Sequence, residues 1–111
     1  MVNFIHITTS DELAAAFELS NTVPVAMLKH SNSCGISAHV KYTLEALEAD
    51  IHVVTVQLHR DLSDAIASRT GHRHQSPQMF ILRGEKVIHH STHYGIDPDK
   101  VLSFLNAPRV T

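Results

Sequence analysis

The chain has 111 residues, 43% of them hydrophobic, and this length suffices for one compact domain over residues 1–111 but not for two. A formal charge of −2 without a basic tract gives no electrostatic case for nucleic acid, and no apolar stretch reaches the ~20 residues of a membrane helix. The single cysteine, Cys34, rules out an internal disulfide and, without a secretory signal, predicts a cytoplasmic protein.

A short strand and a capped helix are predicted first. The segment FIHIT (residues 4–8) indicates the strand. Thr9 and Glu12 have the spacing of a capping box, and apolar residues then recur at helical intervals to about Leu19. The segment PVAMLK (24–29) is apolar without alternation. It therefore predicts a central strand that is covered on both faces.

Cys34 lies between that central strand and a second predicted helix. One apolar stripe indicates a helix over residues 36 to about 49. The β-branched stretch HVVTVQL (52–58) predicts another buried strand. A third helix is expected to follow, with Asp61 as its N-cap and Gly71 as its end.

The last part of the chain predicts a hairpin and a final helix. Segments MFIL (79–82) and KVIHHS (86–91) are separated by turn residues and indicate two antiparallel strands. Asp97 as N-cap and Pro98 at the first helical position predict a helix that runs through Leu105.

Numbered in chain order, the predicted elements are β1-α1-β2-α2-β3-α3-β4-β5-α4, an α/β order that matches the thioredoxin-like arrangement. It predicts a mixed five-stranded sheet flanked by helices, with the first three strands parallel. Cys34 then lies at the carboxyl end of a central strand, where open α/β sheets form their binding crevice. Unpaired N–H groups at the start of the next helix stabilise a thiolate. We therefore expect Cys34 to be reactive rather than inert and buried.

Two segments resemble a specific protein family. KHSNSCGIS (29–37) and HQSPQMFILRGEKVIHHSTHYGI (74–96) are similar to the YtxJ-like monothiol bacilliredoxins, bacillithiol-system redox proteins of the thioredoxin superfamily. The resemblance covers nearly the whole chain. That family commonly has proline after the cysteine, where this chain has Gly35. The sequence CGIS (34–37) therefore also resembles the Cys-Gly-Phe-Ser motif of monothiol glutaredoxins.

The resemblance implies a thiol–disulfide oxidoreductase that removes bacillithiol from mixed disulfides on client proteins and takes it onto Cys34. It implies no bound cofactor, because the low-molecular-weight thiol is a co-substrate, and it is compatible with a monomer. Ser37 stands in the place of a resolving cysteine, so a second thiol must come from outside the chain. A cis bond between Ser76 and Pro77 is expected to face the reactive sulfur.

The predicted site has a nucleophile, a helix start and a binding wall. Cys34 is the catalytic residue. The N-terminus of the active-site helix comprises Gly35, Ile36 and Ser37. The expected substrate- and thiol-binding residues are Lys29, Ser33, Arg73, His74, Ser76 and Pro77. Five cationic or titratable side chains could form a rim for the malate carboxylates of bacillithiol, or a solvated surface: Lys29, Lys41, His72, Arg73 and His74.

Two other function classes stay open. One is an iron–sulfur carrier of the monothiol glutaredoxin kind, in which Cys34 and an external thiol hold a cluster between two subunits. The other is a noncatalytic adaptor that binds extended peptides. No metal site is expected from the histidines, because His89 and His90 are adjacent on a predicted strand and point to opposite faces.

Overall fold

A computed structural model describes residues 1–107 of the chain. Its strands are β1 Asn3–His6, β2 Val25–His30, β3 Asp50–Thr55, β4 Gln78–Arg83 and β5 Lys86–Thr92. Its helices are α1 Ser10–Leu19, α2 Gly35–Leu44, α3 Arg60–Thr70 and α4 Pro98–Leu105, with a 3₁₀ turn at His93–Gly95 before α4. The predicted order of strands and helices is confirmed. The predicted single domain over residues 1–111 includes residues 108–111, which lie outside the described residues.

The five strands form one mixed sheet in the order β1-β3-β2-β4-β5. β3 pairs in parallel with both β1 and β2, whereas β4 is antiparallel to β2 and to β5. The prediction of three parallel strands, followed by an antiparallel hairpin, is confirmed. β2 occupies the middle of the sheet, and all six of its residues are buried.

Two apolar clusters cover the two faces of the sheet. One joins Leu13 and Phe17 of α1 to Leu62 and Ile66 of α3. The other joins Val40 and Leu44 of α2 to Val101 of α4. The helices are thus divided two and two between the faces, and side chains of β2 alternate between the clusters.

The alternation along β2 decides where its last side chains lie. Val25 and Met27 pack in the cluster with α1 and α3, and Ala26 and Leu28 pack in the cluster with α2 and α4. By the same alternation, Lys29 faces α3 and His30 faces α2. β2 ends at His30, and the loop that leads to Cys34 follows.

Local capping sequences set three of the helix boundaries as predicted. The Thr9 hydroxyl accepts a hydrogen bond from the Glu12 backbone N–H at 3.1 Å, and the Glu12 carboxylate accepts one from the Thr9 N–H at 3.2 Å. Gly71 ends α3 with a left-handed φ of 73°. The Asp97 side chain caps α4.

The predicted end of α2 was wrong. The helix ends at Leu44 rather than at about residue 49. Leu47 is nevertheless buried, with 8% of its surface exposed, because the chain turns there through a hydrogen bond from its N–H to the Leu44 carbonyl. The apolar spacing therefore continues past the last helical residue.

The predicted bounds of β3 and the start of α3 also need correction. β3 begins at Asp50 and ends at Thr55, whereas residues 52–58 were expected. The N–H groups of Leu58 and His59 both donate to the Thr55 carbonyl, which turns the chain out of the sheet early. His59 is consequently the N-cap of α3, and Asp61 lies in its first turn.

Candidate active site around Cys34

Cys34 is the N-cap of α2, directly beyond the loop that follows the central strand. Its side chain is partly exposed. The pKa of the Cys34 thiol is lowered, mainly by the nearby Ser37 backbone N–H and further by the Ile36 backbone N–H and the Ser37 hydroxyl, although the Cys34 side chain accepts no capping hydrogen bond. Partial desolvation opposes this effect. The first turn of the helix thus favours the thiolate, in the manner expected of unpaired helix N–H groups.

Ser37 is buried beneath this turn. None of its surface is exposed, and its hydroxyl oxygen accepts a hydrogen bond from the Ser31 N–H at 3.3 Å. It therefore joins the loop before Cys34 to the helix after it. Gly35 is exposed and Ile36 is half-buried at the start of the same helix.

The bond between Ser76 and Pro77 is cis, as expected. Lys29 of β2 pairs with Gln78 of β4, so Pro77 lies across from the last residue of β2. The Pro77 carbonyl accepts a hydrogen bond from the His93 N–H at 3.0 Å, which ties it to the 3₁₀ turn. The cis proline and the Cys34 loop thus lie at the same end of the sheet.

Gln57 holds the loop that precedes the thiol. Its amide nitrogen donates to the hydroxyls of Ser31 and Ser33, the latter at 2.8 Å, and its amide oxygen accepts from the Asn32 N–H at 3.0 Å. Sequence reasoning missed Gln57 because it was assigned to β3. Its place just after a strand parallel to β2 could have indicated it, since such strand ends share one edge of a sheet.

Lys29 is fully buried, with none of its surface exposed. Its Nζ lies 3.4 Å from Nδ1 of His74, which in turn lies 3.1 Å from the Ser63 hydroxyl. Burial lowers the pKa of Lys29 to about 8, and the Asp64 carboxylate partly opposes this. The pKa of His74 is lowered as well, mainly by desolvation and then by the Lys29 charge. A place in a solvated surface, one of the two alternatives considered for Lys29, is therefore excluded.

Two other side chains considered for the cationic rim contact aromatic rings. Lys41 lies over the Phe4 ring, with its Nζ 5.1 Å from the ring centre. His72 stacks on His90 at 4.0 Å between ring centres. Arg73 is exposed. Lys41 and His72 thus have aromatic partners, whereas the part of Arg73 in a rim stays a prediction.

The two adjacent histidines of β5 point to opposite faces, as predicted. His89 stacks on Phe104 at 4.5 Å, and His90 packs against Phe80 at 5.2 Å. Within residues 1–107, no group of three or more His, Cys, Asp or Glu side chains is arranged to hold a metal ion. In the same part of the chain, no helix has the length and apolar character to cross a membrane.

A polar cleft of about 340 Å³ opens beside the thiol loop. We call it the Arg60 cleft. Its walls come from the loop before α2, the turn after β3, helix α3 and the loop before β4. Its lining residues are Ser31, Ser33, Val56, Gln57, Arg60, Ser63, Asp64 and His74. Two expected binding residues, Ser33 and His74, meet here, whereas Arg73 is not part of the lining.

Comparison with known proteins adds a family and a fold. The model of the family described as monothiol bacilliredoxin BrxC matches residues 5–101. A solved structure of a candidate oxidoreductase with a thioredoxin fold is 30% identical, with a TM-score of 0.78, over 88% of this chain and 89% of that chain.

Two thioredoxins are more distant. A mutant thioredoxin from Halobacterium salinarum NRC-1 has a TM-score of 0.70 at 16% identity, over 95% of this chain and 89% of its own. Thioredoxin NaTrxh from Nicotiana alata has a TM-score of 0.71 at 13% identity, over 90% of this chain and 87% of its own. At these identities the likeness concerns the fold alone, and the predicted thioredoxin-like fold is confirmed.

Proposed function

Because the chain belongs to the monothiol bacilliredoxin family, we propose that it removes a low-molecular-weight thiol, bacillithiol, from mixed disulfides on client proteins. A redox enzyme of the thioredoxin fold is supported by the family and by the similar oxidoreductase structure. The observation that carries the finer proposal is Cys34, partly exposed at the start of α2 with its thiol pKa lowered by backbone N–H groups. A thiolate, rather than a thiol, is the nucleophile in disulfide exchange.

The reaction proceeds in two exchanges without net oxidation of the enzyme. The Cys34 thiolate attacks the bacillithiol sulfur of the mixed disulfide, and the client cysteine leaves as a thiolate. A disulfide between Cys34 and bacillithiol has then formed. A second bacillithiol thiolate attacks the bacillithiol sulfur of this adduct, which releases bacillithiol disulfide and regenerates Cys34. In net terms the client cysteine is reduced and one free bacillithiol is oxidised, while the cap keeps its oxidation state as the other half of bacillithiol disulfide.

Ser37 is the reason that the second thiol must be external. It lies one helical turn after Cys34, where its hydroxyl cannot form a disulfide. Cys34 is also the one cysteine of the chain. The adduct on Cys34 therefore persists until a small thiol or a dedicated reductase removes it. The co-substrate is the low-molecular-weight thiol, no bound cofactor takes part, and the working form is a monomer.

The client protein binds beside the cis proline. Ser76 is half-buried directly before β4, across the sheet end from the loop that leads to Cys34. An extended client segment pairs there with the backbone, as a short β-addition. Because backbone groups are shared by all sequences, this contact alone accepts many clients.

Intact mass spectrometry tests the proposal directly. The protein is incubated in parallel with bacillithiol disulfide and with glutathione disulfide. We expect one bacillithiol adduct, little glutathione adduct, and no adduct on the Cys34→Ser variant. Equal labelling by both disulfides would contradict the bacillithiol assignment, and no labelling by either would contradict the role of Cys34.

A further inference from the structure

We propose that the Arg60 cleft binds the part of the small thiol that does not contain sulfur, and that Arg60 binds a carboxylate of this group. The inference rests on the function proposed for Cys34 and deepens it by naming the groups that select the thiol. The ligand class is a small thiol that carries a carboxylate together with hydroxyl groups.

The position of the cleft fits a group that is covalently attached at Cys34. Ser33 lines the cleft and immediately precedes Cys34, so their Cα atoms are about 3.8 Å apart. The volume of about 340 Å³ falls at the lower end of the range of ~300–1,000 Å³ for small-molecule sites. A small cap whose sulfur is bonded to Cys34 can therefore extend past Ser33 into this space.

The charges in the cleft are suited to a polar acid. Arg60 and Asp64 are four residues apart on α3, and both line the cleft with exposed side chains. Within residues 1–107 neither of them forms a salt bridge. The Arg60 guanidinium can bind a carboxylate through two parallel N–H donors, whereas Asp64 accepts from hydroxyl or ammonium groups.

The floor of the cleft is already ordered before any ligand binds. Gln57 ties Ser31 and Ser33 together through their hydroxyls, and His74 is held near Ser63 at 3.1 Å. Groups that are fixed in advance lose little conformational entropy on binding. Lys29 beneath His74 adds positive charge to this region. The resemblance to bacillithiol-system proteins supplies a ligand of this class, since bacillithiol carries a malate carboxylate pair and a sugar.

The test compares two caps on the same client protein. One client sample carries bacillithiol on its cysteine, and the other carries 2-mercaptoethanol, which has no carboxylate. Decapping kinetics are measured for the native protein, Arg60→Gln, Arg60→Lys and the control Arg69→Gln. Arg69 is exposed in the last turn of α3 and lies outside the cleft, so the control removes the same charge from the same helix.

We expect Arg60→Gln to lower kcat/KM for the bacillithiol cap by about tenfold, mainly through KM, because a charge-assisted hydrogen bond is lost. The 2-mercaptoethanol cap should change by less than about twofold. Arg60→Lys should lose less, since it retains the charge without the paired donors. Arg69→Gln should change neither cap by more than about twofold. Thermal unfolding of each variant shows that it is folded.

Three results would overturn the inference. Unchanged kinetics of Arg60→Gln with the bacillithiol cap would remove Arg60 from the site. An equal loss with both caps would show that Arg60 contacts the client protein rather than the cap. A native protein that decaps neither client would overturn the proposed function together with this inference, whereas the first two results leave that function standing.

Discussion

Substitution of Lys29 tests how much its buried positive charge reduces the free energy of unfolding. The variant is Lys29→Met, which keeps the length of the side chain and removes its charge. The pKa of Lys29 is lowered by burial from 10.5 to about 8. At about 1.4 kcal/mol for each pKa unit, this difference corresponds to about 3 kcal/mol. This value is the upper limit of the reduction in the free energy of unfolding that is caused by keeping the buried Lys29 ammonium charged.

The sign of the pH dependence follows from proton binding. Between pH of about 8 and 10.5 the unfolded chain holds a proton on Lys29 that the folded chain releases. The free energy of unfolding therefore rises with pH in this window, and the contribution is lost as pH falls through the folded pKa. At pH 7 we expect the removal of the buried charge to make Lys29→Met more stable than the native protein by up to about 3 kcal/mol. The lost contact with His74 reduces this gain by ~1 kcal/mol. This advantage should shrink as pH approaches 10.5.

Urea unfolding at several pH values from 7 upward measures this effect. The experiments use a Cys34→Ser background, because Cys34 also has a lowered pKa and would add a rise of the same sign. Lys86→Met, at the exposed start of β5, is the matched control. A stability difference that does not vary with pH, or a Lys29→Met variant that is less stable at pH 7, would refute the reasoning.

Three further predictions concern the first turns of two helices. Ser37→Ala should keep the exchange rate within about threefold, because backbone N–H groups lower the Cys34 pKa more than the Ser37 hydroxyl does. The same variant should lower the free energy of unfolding by ~1 kcal/mol, because the hydrogen bond from the Ser31 N–H is lost. Stopped-flow exchange and urea unfolding check both parts, and a rate collapse would show a chemical role. Ser37→Cys should release the cap from Cys34 by forming an internal disulfide. Residues three apart on a helix have Cβ atoms about 5–6 Å apart, so the bridge needs only a small local shift. A persistent adduct in the mass spectrum of this variant would contradict the prediction. Thr9→Ala should cost ~1 kcal/mol in unfolding experiments because the α1 capping box is lost, and an unchanged stability would show that the box contributes nothing.

Much of the fold could be predicted because its boundaries depend on local sequence. The capping box at Thr9, the left-handed Gly71 and the Asp97 cap each act within a few residues. The end of α2 was missed because burial continues beyond the helix, and the end of β3 was missed because the apolar pattern continues to Leu58, which is exposed. Leu47 packs in the core from a turn, and apolar spacing alone does not distinguish this from another turn of helix.

The candidate site was predicted only in part. Cys34 was identified by its place after a central strand, and the cis state of Pro77 was expected from the family resemblance. Lys29 was considered for a cationic rim or a solvated surface, although its alternation with Val25 and Met27 places it in the α1–α3 face.

The Arg60 cleft could not be predicted from local sequence. Gln57 and Arg60 are ordinary polar residues along the chain, and they meet Ser33 only because β3 lies next to β2 in the sheet. The sheet order is set by packing of distant segments, and no short motif in the sequence encodes it.

The ionisation of Cys34 is the central claim, and an ultraviolet titration of its thiolate absorbance tests it most directly. The chain has one cysteine, so the thiolate change reports a single sulfur, and Cys34→Ser provides the baseline. We predict a midpoint below the ordinary cysteine pKa, with the same pH dependence in the rate of alkylation. A thiol that remains protonated up to or above the ordinary cysteine pKa would contradict the proposed exchange at Cys34.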